Sequence, residues 1–300
     1  MAERSQQAIE YDAGEKRVTE LYVKAAEQLG SDKAPVRLAG LYALERVAQD
    51  NPAQRQSISE VICAYLRMPY TPPPRKRANV NHTAQNALDK ELSTDGENGE
   101  EGEKYARSYE ERQVRLAAQR ILARHLKAPR IGRAASIYWG EIRLDLTEAT
   151  LVDADFQGCH LYNVDFRRTE FIGSQSFAKA TFHGVARFEE ARFVGTTWFG
   201  DASFQSAWFD DCQFLGVVRF DNSVFDVHAW FDSARFEGST DFTRVEFNGS
   251  TKFDSATFKG HASFREAVTG ENFEGDLPQG WHVDEVRRKI IKDIFSGEDS

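Results

Sequence analysis

Large apolar residues recur every five or six positions from Leu146 to Phe264, separated by mostly polar residues. The beat falls at 146, 151, 156, 161, 166, 171, 177, 182, 188, 193, 199, 204, 209, 214, 220, 225, 231, 236, 242, 247, 253, 258 and 264. Leu146, Leu151 and Leu161 open it, and every later site, with Phe156, is phenylalanine. Such a period fits neither an amphipathic helix nor a flat strand. It predicts a chain that turns a corner every few residues and stacks coil upon coil. Two positions before each large residue the side chain is small, as at Ala149, Ala154, Cys159, Ala180, Ala191, Ala207 and Cys212. Larger side chains are tolerated there at Val164, Gln175, Val218 and Val245. Only these two positions are restricted, so both must face the interior of a narrow tube. Glycine often stands two after the large residue, as at Gly173, Gly195, Gly216, Gly238 and Gly260, which predicts a corner with positive φ or close backbone approach.

The first half of the chain has helical spacing instead. Glu15–Leu29 stops at Gly30, Pro35 opens Val36–Gln49, and Asn51-Pro52 breaks the chain before Ala53–Met68. Residues 1–70 therefore read as an α-helical, HEAT-like hairpin region. Residues 71–104 read as a disordered linker, from Thr71-Pro72-Pro73-Pro74 through the basic Arg75-Lys76-Arg77 to an acidic stretch without apolar residues. Residues 105–135 hold a further helix, with Val114, Ala117, Ile121 and Leu122 on one face, placed to cap the first coil. Residues 136–275 are the repeats. Residues 276–300 read as a C-terminal amphipathic helix, with Val283, Val286, Ile290, Ile291 and Ile294 on one side. It would cap the other end or form a homodimer contact.

The units Ala149-Thr150-Leu151 and Ala154-Asp155-Phe156 set the pattern of small residue, polar residue, then Leu or Phe. This pattern resembles the pentapeptide-repeat family over residues 140–275. The resemblance implies a right-handed quadrilateral β-helix with four short faces per coil. From Phe171 onward, spacings of five and six alternate, with one slip at Phe204–Phe209–Phe214. The extra residue is expected to bulge at a corner, with imperfect stacking at the slip. Gly30-Ser31-Asp32-Lys33, Val36-Arg37-Leu38 and Gly40 to Arg46 resemble a module that precedes such repeats in some bacterial proteins. Relatives of that module often carry transmembrane helices, and no apolar run here is long enough for one.

Four faces per coil assign the outward residues. Beside Phe188, Phe209, Phe231 and Phe253 stand Glu189, Asp210, Asp232 and Asp254, an acidic column. On their other side stand Arg187, Trp208, Trp230 and Lys252, which places two tryptophans one above the other. On the next face Val152, Ile172, Val194 and Leu215 form an apolar stripe. It is either covered by the chain's own helices or free for a partner.

Charge sharpens this picture. The chain carries net −9, but residues 136–275 alone carry −10, with 22 acids against 12 bases. An acidic rod disfavours nucleic acid and suits a basic or mixed protein surface, and the same acidity also serves solubility. Cys63, Cys159 and Cys212 lack metal or redox spacing, and Cys159 and Cys212 fill small-residue positions. The seven histidines are scattered, and neither a phosphate loop nor a nucleophile elbow occurs. The carboxylate column offers few ligands in one plane for a divalent cation. The expectation is a cytoplasmic, non-catalytic interaction scaffold without cofactor, presenting Glu189, Asp210, Asp232, Asp254, Trp208 and Trp230 to a protein partner. The family resemblance implies an alternative, a DNA mimic that modulates a type II topoisomerase such as gyrase. Interspersed Arg187, Arg192, Arg219, Arg235 and Arg265 and the apolar stripe count against it.

Overall fold

Residues 144–275 wind into a β-solenoid of about six coils. The computed structural model describes residues 2–74, 97–128, 137–284 and 286–292. Most solenoid strands are two or three residues long and pair in parallel with the next coil. One six-stranded sheet and one five-stranded sheet form two faces, and a twelve-stranded sheet wraps the remainder. The large apolar residues lie inside: from Leu146 to Phe264 only Phe258 is as much as partly exposed. Ala180, Ala191, Ala207 and Cys212 are fully buried beside them.

The rings stack in four columns. Phe166, Phe188, Phe209, Phe231 and Phe253 lie 5.0, 4.8, 4.9 and 4.7 Å apart, centroid to centroid. Phe171, Phe193, Phe214, Phe236 and Phe258 follow at 4.6, 4.7, 4.8 and 4.5 Å. Neighbouring columns meet edge to face, as in Phe209–Phe220 at 5.6 Å and 81°. Each ring thus has offset-stacked partners along the axis and edge contacts across it, both favoured by the aromatic quadrupole.

Two kinds of corner explain the alternating spacing. Within most five-residue steps the residue two beyond the ring adopts positive φ, as in Lys179 (59°), Glu190 (59°), Asp211 (57°) and Ser233 (58°). The ring residue's carbonyl then accepts the N–H three residues on, as in Cys212 to Phe209 at 3.1 Å. That is the arrangement of a type II turn, here mostly without glycine. Within most six-residue steps glycine takes the same position because the backbone of the adjacent coil passes too close. A Cβ at Gly195, Gly216 or Gly238 would sit 2.0, 2.1 or 2.3 Å from the carbonyl oxygen of the preceding glycine in that column. At the slip, the pairing shifts register between Phe204 and Ser206, so the extra residue of the neighbouring coils bulges outward. The rings there stay stacked, Phe182–Phe204 at 4.5 Å and Phe204–Phe225 at 4.7 Å, contrary to the imperfect stacking expected. The bulge absorbs the mismatch before it reaches the interior.

Among the described residues four helices precede the solenoid: α1 (Ala2–Leu29), α2 (Ala34–Asp50), α3 (Arg55–Arg67) and α4 (Glu97–His125). A short 3₁₀ turn, Pro52–Gln54, joins α2 to α3. The helix expected within residues 105–135 therefore starts earlier and takes in residues 97–104 of the anticipated linker. Residues 75–96 and 129–136 lie outside the described residues. Gly40 lets α2 cross α1 closely, since a Cβ there would lie 2.8 Å from Ala25 O and Leu29 N. Glu111 of α4 ties the bundle together: it accepts from Tyr65 Oη (2.8 Å), Arg37 Nη2 (3.0 Å) and Arg115 Nε (2.8 Å). α4 then closes the first coil. Its Gln119 side chain donates to Val152 O at 3.0 Å and accepts Val152 N–H at 3.1 Å, replacing the missing strand.

The far end corrects the sequence reading. The expected C-terminal helix is an antiparallel hairpin, Trp281–Asp284 with Lys289–Lys292. Ile290 N–H donates to Ala267 O and Thr269 N–H to Arg288 O, both at 2.9 Å. The open edge of the last coil leaves backbone groups in need of partners, and an added strand supplies them from its own backbone. Ile290 is buried, Trp281 lies 4.9 Å from Phe264, and Val286, assigned to the apolar helix face, is 94% exposed at the hairpin turn. Residues 293–300, with Ile294 and Phe295, lie outside the described residues.

Replacing one stacked ring should empty the tube locally. Phe209→Ala is expected to cost about 3–5 kcal/mol by cavity formation. The neighbouring Trp208→Ala should cost about 1–2 kcal/mol from lost surface stacking. Urea unfolding followed by circular dichroism measures both, and equal costs would mean that the inward and outward assignments fail.

Candidate interaction face

Strict register places the predicted side chains. Arg187, Trp208, Trp230 and Lys252 are paired residue to residue on four successive coils. The two indoles stack at 5.4 Å and 9°. The Arg187 guanidinium lies 4.8 Å over Trp208, and the Lys252 ammonium lies 4.6 Å over Trp230. The result is a cation–indole–indole–cation column whose ring faces are used internally. Trp230 Nε1 donates to Ser250 Oγ at 3.3 Å, whereas Trp208 Nε1 is buried without an acceptor among the described residues. Arg187 and Lys252 thus cap the indoles. Coil length is the signal that links them, because they stand close to 22 residues from their partners, the spacing of Trp208 and Trp230.

The acidic column is more internal than its sequence pattern suggests. Asp210 Oδ1 accepts the N–H of Asp232 at 3.3 Å, and Asp232 Oδ1 accepts the N–H of Asp254 at 3.0 Å. Each of these carboxylates therefore seals the corner of the next coil. Glu189, Asp210 and Asp232 are half-buried, and Asp254 is exposed. Among the described residues Glu189 Oε2 is buried with no hydrogen-bond partner. Burial pushes the Glu189 carboxyl above the usual carboxylate range. Burial, then the negative charge of Asp232, does the same to Asp210.

The apolar stripe divides. Val152 is 5% exposed and lies under α4, where Gln119 binds its backbone and Arg112 pairs with Asp153 at 2.9 Å. Ile172, Val194 and Leu215 are half-buried. Further on, the column turns polar with the Lys259–Glu237 ion pair at 2.9 Å.

A feature that sequence reasoning missed sits nearer the helices. His160 Nδ1 and His183 Nε2 lie 2.8 Å apart, and Tyr162 stacks on His183 at 4.4 Å. Burial, then the neighbouring His183, lowers the pKa of His160. The scattered histidines looked unrelated because their meeting depends on coil length and not on local spacing.

Among the described residues no helix is long and apolar enough to cross a membrane. The family model for pentapeptide repeats, written as nine copies, matches the chain at residues 156–203, 177–224, 201–246 and 231–271. No curated protein and no solved structure matches the chain.

The raised Glu189 pKa means that the folded protein holds this proton more tightly than the unfolded chain does. Its contribution to stability is complete below the ordinary glutamate range and is lost as pH rises through the folded-state value. Glu189→Gln should therefore raise Tm at neutral pH and leave it unchanged well below the glutamate range. Calorimetry across that interval checks the crossing, and a Tm loss at neutral pH would show that the ionised carboxylate is needed.

Proposed function

We propose that this chain, whose repeats belong to the pentapeptide-repeat family, is a non-catalytic scaffold that presents its acidic, Trp-bearing face to a basic protein surface. The repeat solenoid itself is a rigid rod: about six coils at about 4.8 Å each span about 29 Å. The observation that carries the reading is the unmet demand of the carboxylates. Among the described residues Glu189 keeps a buried oxygen without a donor, and the Asp210 and Asp232 carboxylates on the next coils each take one N–H from the coil beyond. A desolvated carboxylate without a donor costs free energy that an arginine or lysine from a partner would offset. Repetition at one coil spacing suits a partner that offers donors in a row. The indole edges would provide the apolar part of the contact, with Arg187 and Lys252 holding the rings rigid.

The test must keep the corner bonds. Asp210→Asn with Asp232→Asn retains an amide-accepting oxygen and removes both charges, whereas lysine at these sites would also break the coil corners. Wild-type and variant chains serve as baits in a bacterial cytosolic lysate, read by quantitative mass spectrometry. A partner recovered at least about tenfold less by the variant supports the face, and equal recovery removes it.

A second reading is a DNA mimic acting on a type II topoisomerase. It is favoured by the net −10 concentrated on the rod. It predicts inhibition or protection of gyrase supercoiling at micromolar protein. Unchanged supercoiling over that range eliminates it.

A further inference from the structure

The five-stranded sheet carries a feature of opposite sign to the rest of the rod. Its strands include Val218–Arg219, Thr240–Asp241 and Ala262–Ser263, so Arg219, Asp241 and Ser263 share one outward column. Beside this column lies an open notch of about 410 Å³. Arg219 and Arg265 line it two coils apart, with Ser239, Thr243 and His261 between them. Both arginines are exposed. Among the described residues neither has a carboxylate within ion-pair distance, although Arg167, Arg168, Arg192 and Arg244 are all paired.

The notch floor is already ordered. Asp241 Oδ1 accepts the Thr243 N–H at 2.9 Å, which fixes its carboxylate. Thr243 Oγ1 and Ser263 Oγ lie 3.2 Å apart, and the Arg265 N–H donates to Ser263 Oγ at 3.4 Å. Two guanidiniums without an ion-pair partner among the described residues thus line the notch with one carboxylate and a group of hydroxyls, on a rod whose repeats carry net −10. Guanidinium forks match phosphate oxygens bidentately, and hydroxyls add further donors. The fixed Asp241 carboxylate disfavours a bare polyanion and accepts hydrogen bonds from hydroxyls. The volume is that of a small-molecule site.

We propose that this notch binds a phosphate monoester of a hydroxyl-bearing small molecule, with Arg219 and Arg265 on the phosphate and Asp241 on a hydroxyl. The site lies on a different face from the acidic column and is independent of it. The test is isothermal titration of the full chain with glucose 6-phosphate and, separately, with inorganic phosphate. Wild type should show saturable binding, tighter for glucose 6-phosphate. Arg219→Ala with Arg265→Ala should weaken both at least about tenfold while circular dichroism and Tm stay unchanged, because both side chains are exposed and unpaired. Asp241→Asn should erase the preference for glucose 6-phosphate over inorganic phosphate. The proposal is overturned if wild type binds neither anion saturably, or if the arginine double variant binds as wild type does. An Asp241→Asn variant that keeps the preference would overturn the hydroxyl assignment.

Discussion

Two distances coincide in this molecule, and the fold depends on their agreement. Parallel β-strands on adjacent coils are held about 4.8 Å apart by their backbone hydrogen bonds. Stacked phenyl rings settle at nearly the same separation, and the columns run from 4.5 to 5.5 Å. A ring placed at the same point of every coil therefore meets its neighbours without straining the ladder. Aliphatic residues serve at Leu146, Leu151 and Leu161, where the solenoid begins. Once rings occupy the axis, the remaining inward positions must be small, which is why Ala191, Ala207 and Cys212 stand where they do.

The corners then divide the work. Tight corners accept almost any residue able to take positive φ, and lysine, glutamate, aspartate, asparagine, serine and arginine all appear there. Wide corners mostly take glycine, because one coil's carbonyl occupies the place of the next coil's Cβ. The outward side chains between corners are unconstrained by the interior. They are free to become an acidic column on one side, a cation–indole stack beside it and an unpaired arginine notch on another face. Repetition turns each choice into a vertical series, so a single favourable contact is multiplied and a single unmet demand accumulates.

How much of this was legible follows from the range of the forces. The ring positions, the small partners and the vertical pairing of Trp208 with Trp230 could be read directly, because each depends only on position within a coil. The bonds of Asp210 and Asp232 to the next coil could not, since nothing in a single repeat says whether a carboxylate turns outward or accepts a neighbour's amide. The C-terminal segment misled for a related reason. Val283, Ile290 and Ile291 satisfy a helical spacing, but the last coil's open edge overrides that local preference and draws the segment into a hairpin. Gln119 shows the same demand met at the other end by one side chain. The arginine notch escaped because its two cations lie 46 positions apart in sequence.

The closed ends give the tight and wide corners a genetic meaning. Each coil touches only its two neighbours, and every inner position is equivalent from one coil to the next. Duplicating or deleting a whole coil in register would leave Gln119 and the terminal hairpin with the same surfaces to seal. Shifts of a few residues would instead set the rings against glycine positions. Rod length is thus adjustable in fixed increments, like the divisions of a ruler, and reach could be tuned by unequal recombination without redesigning the interior.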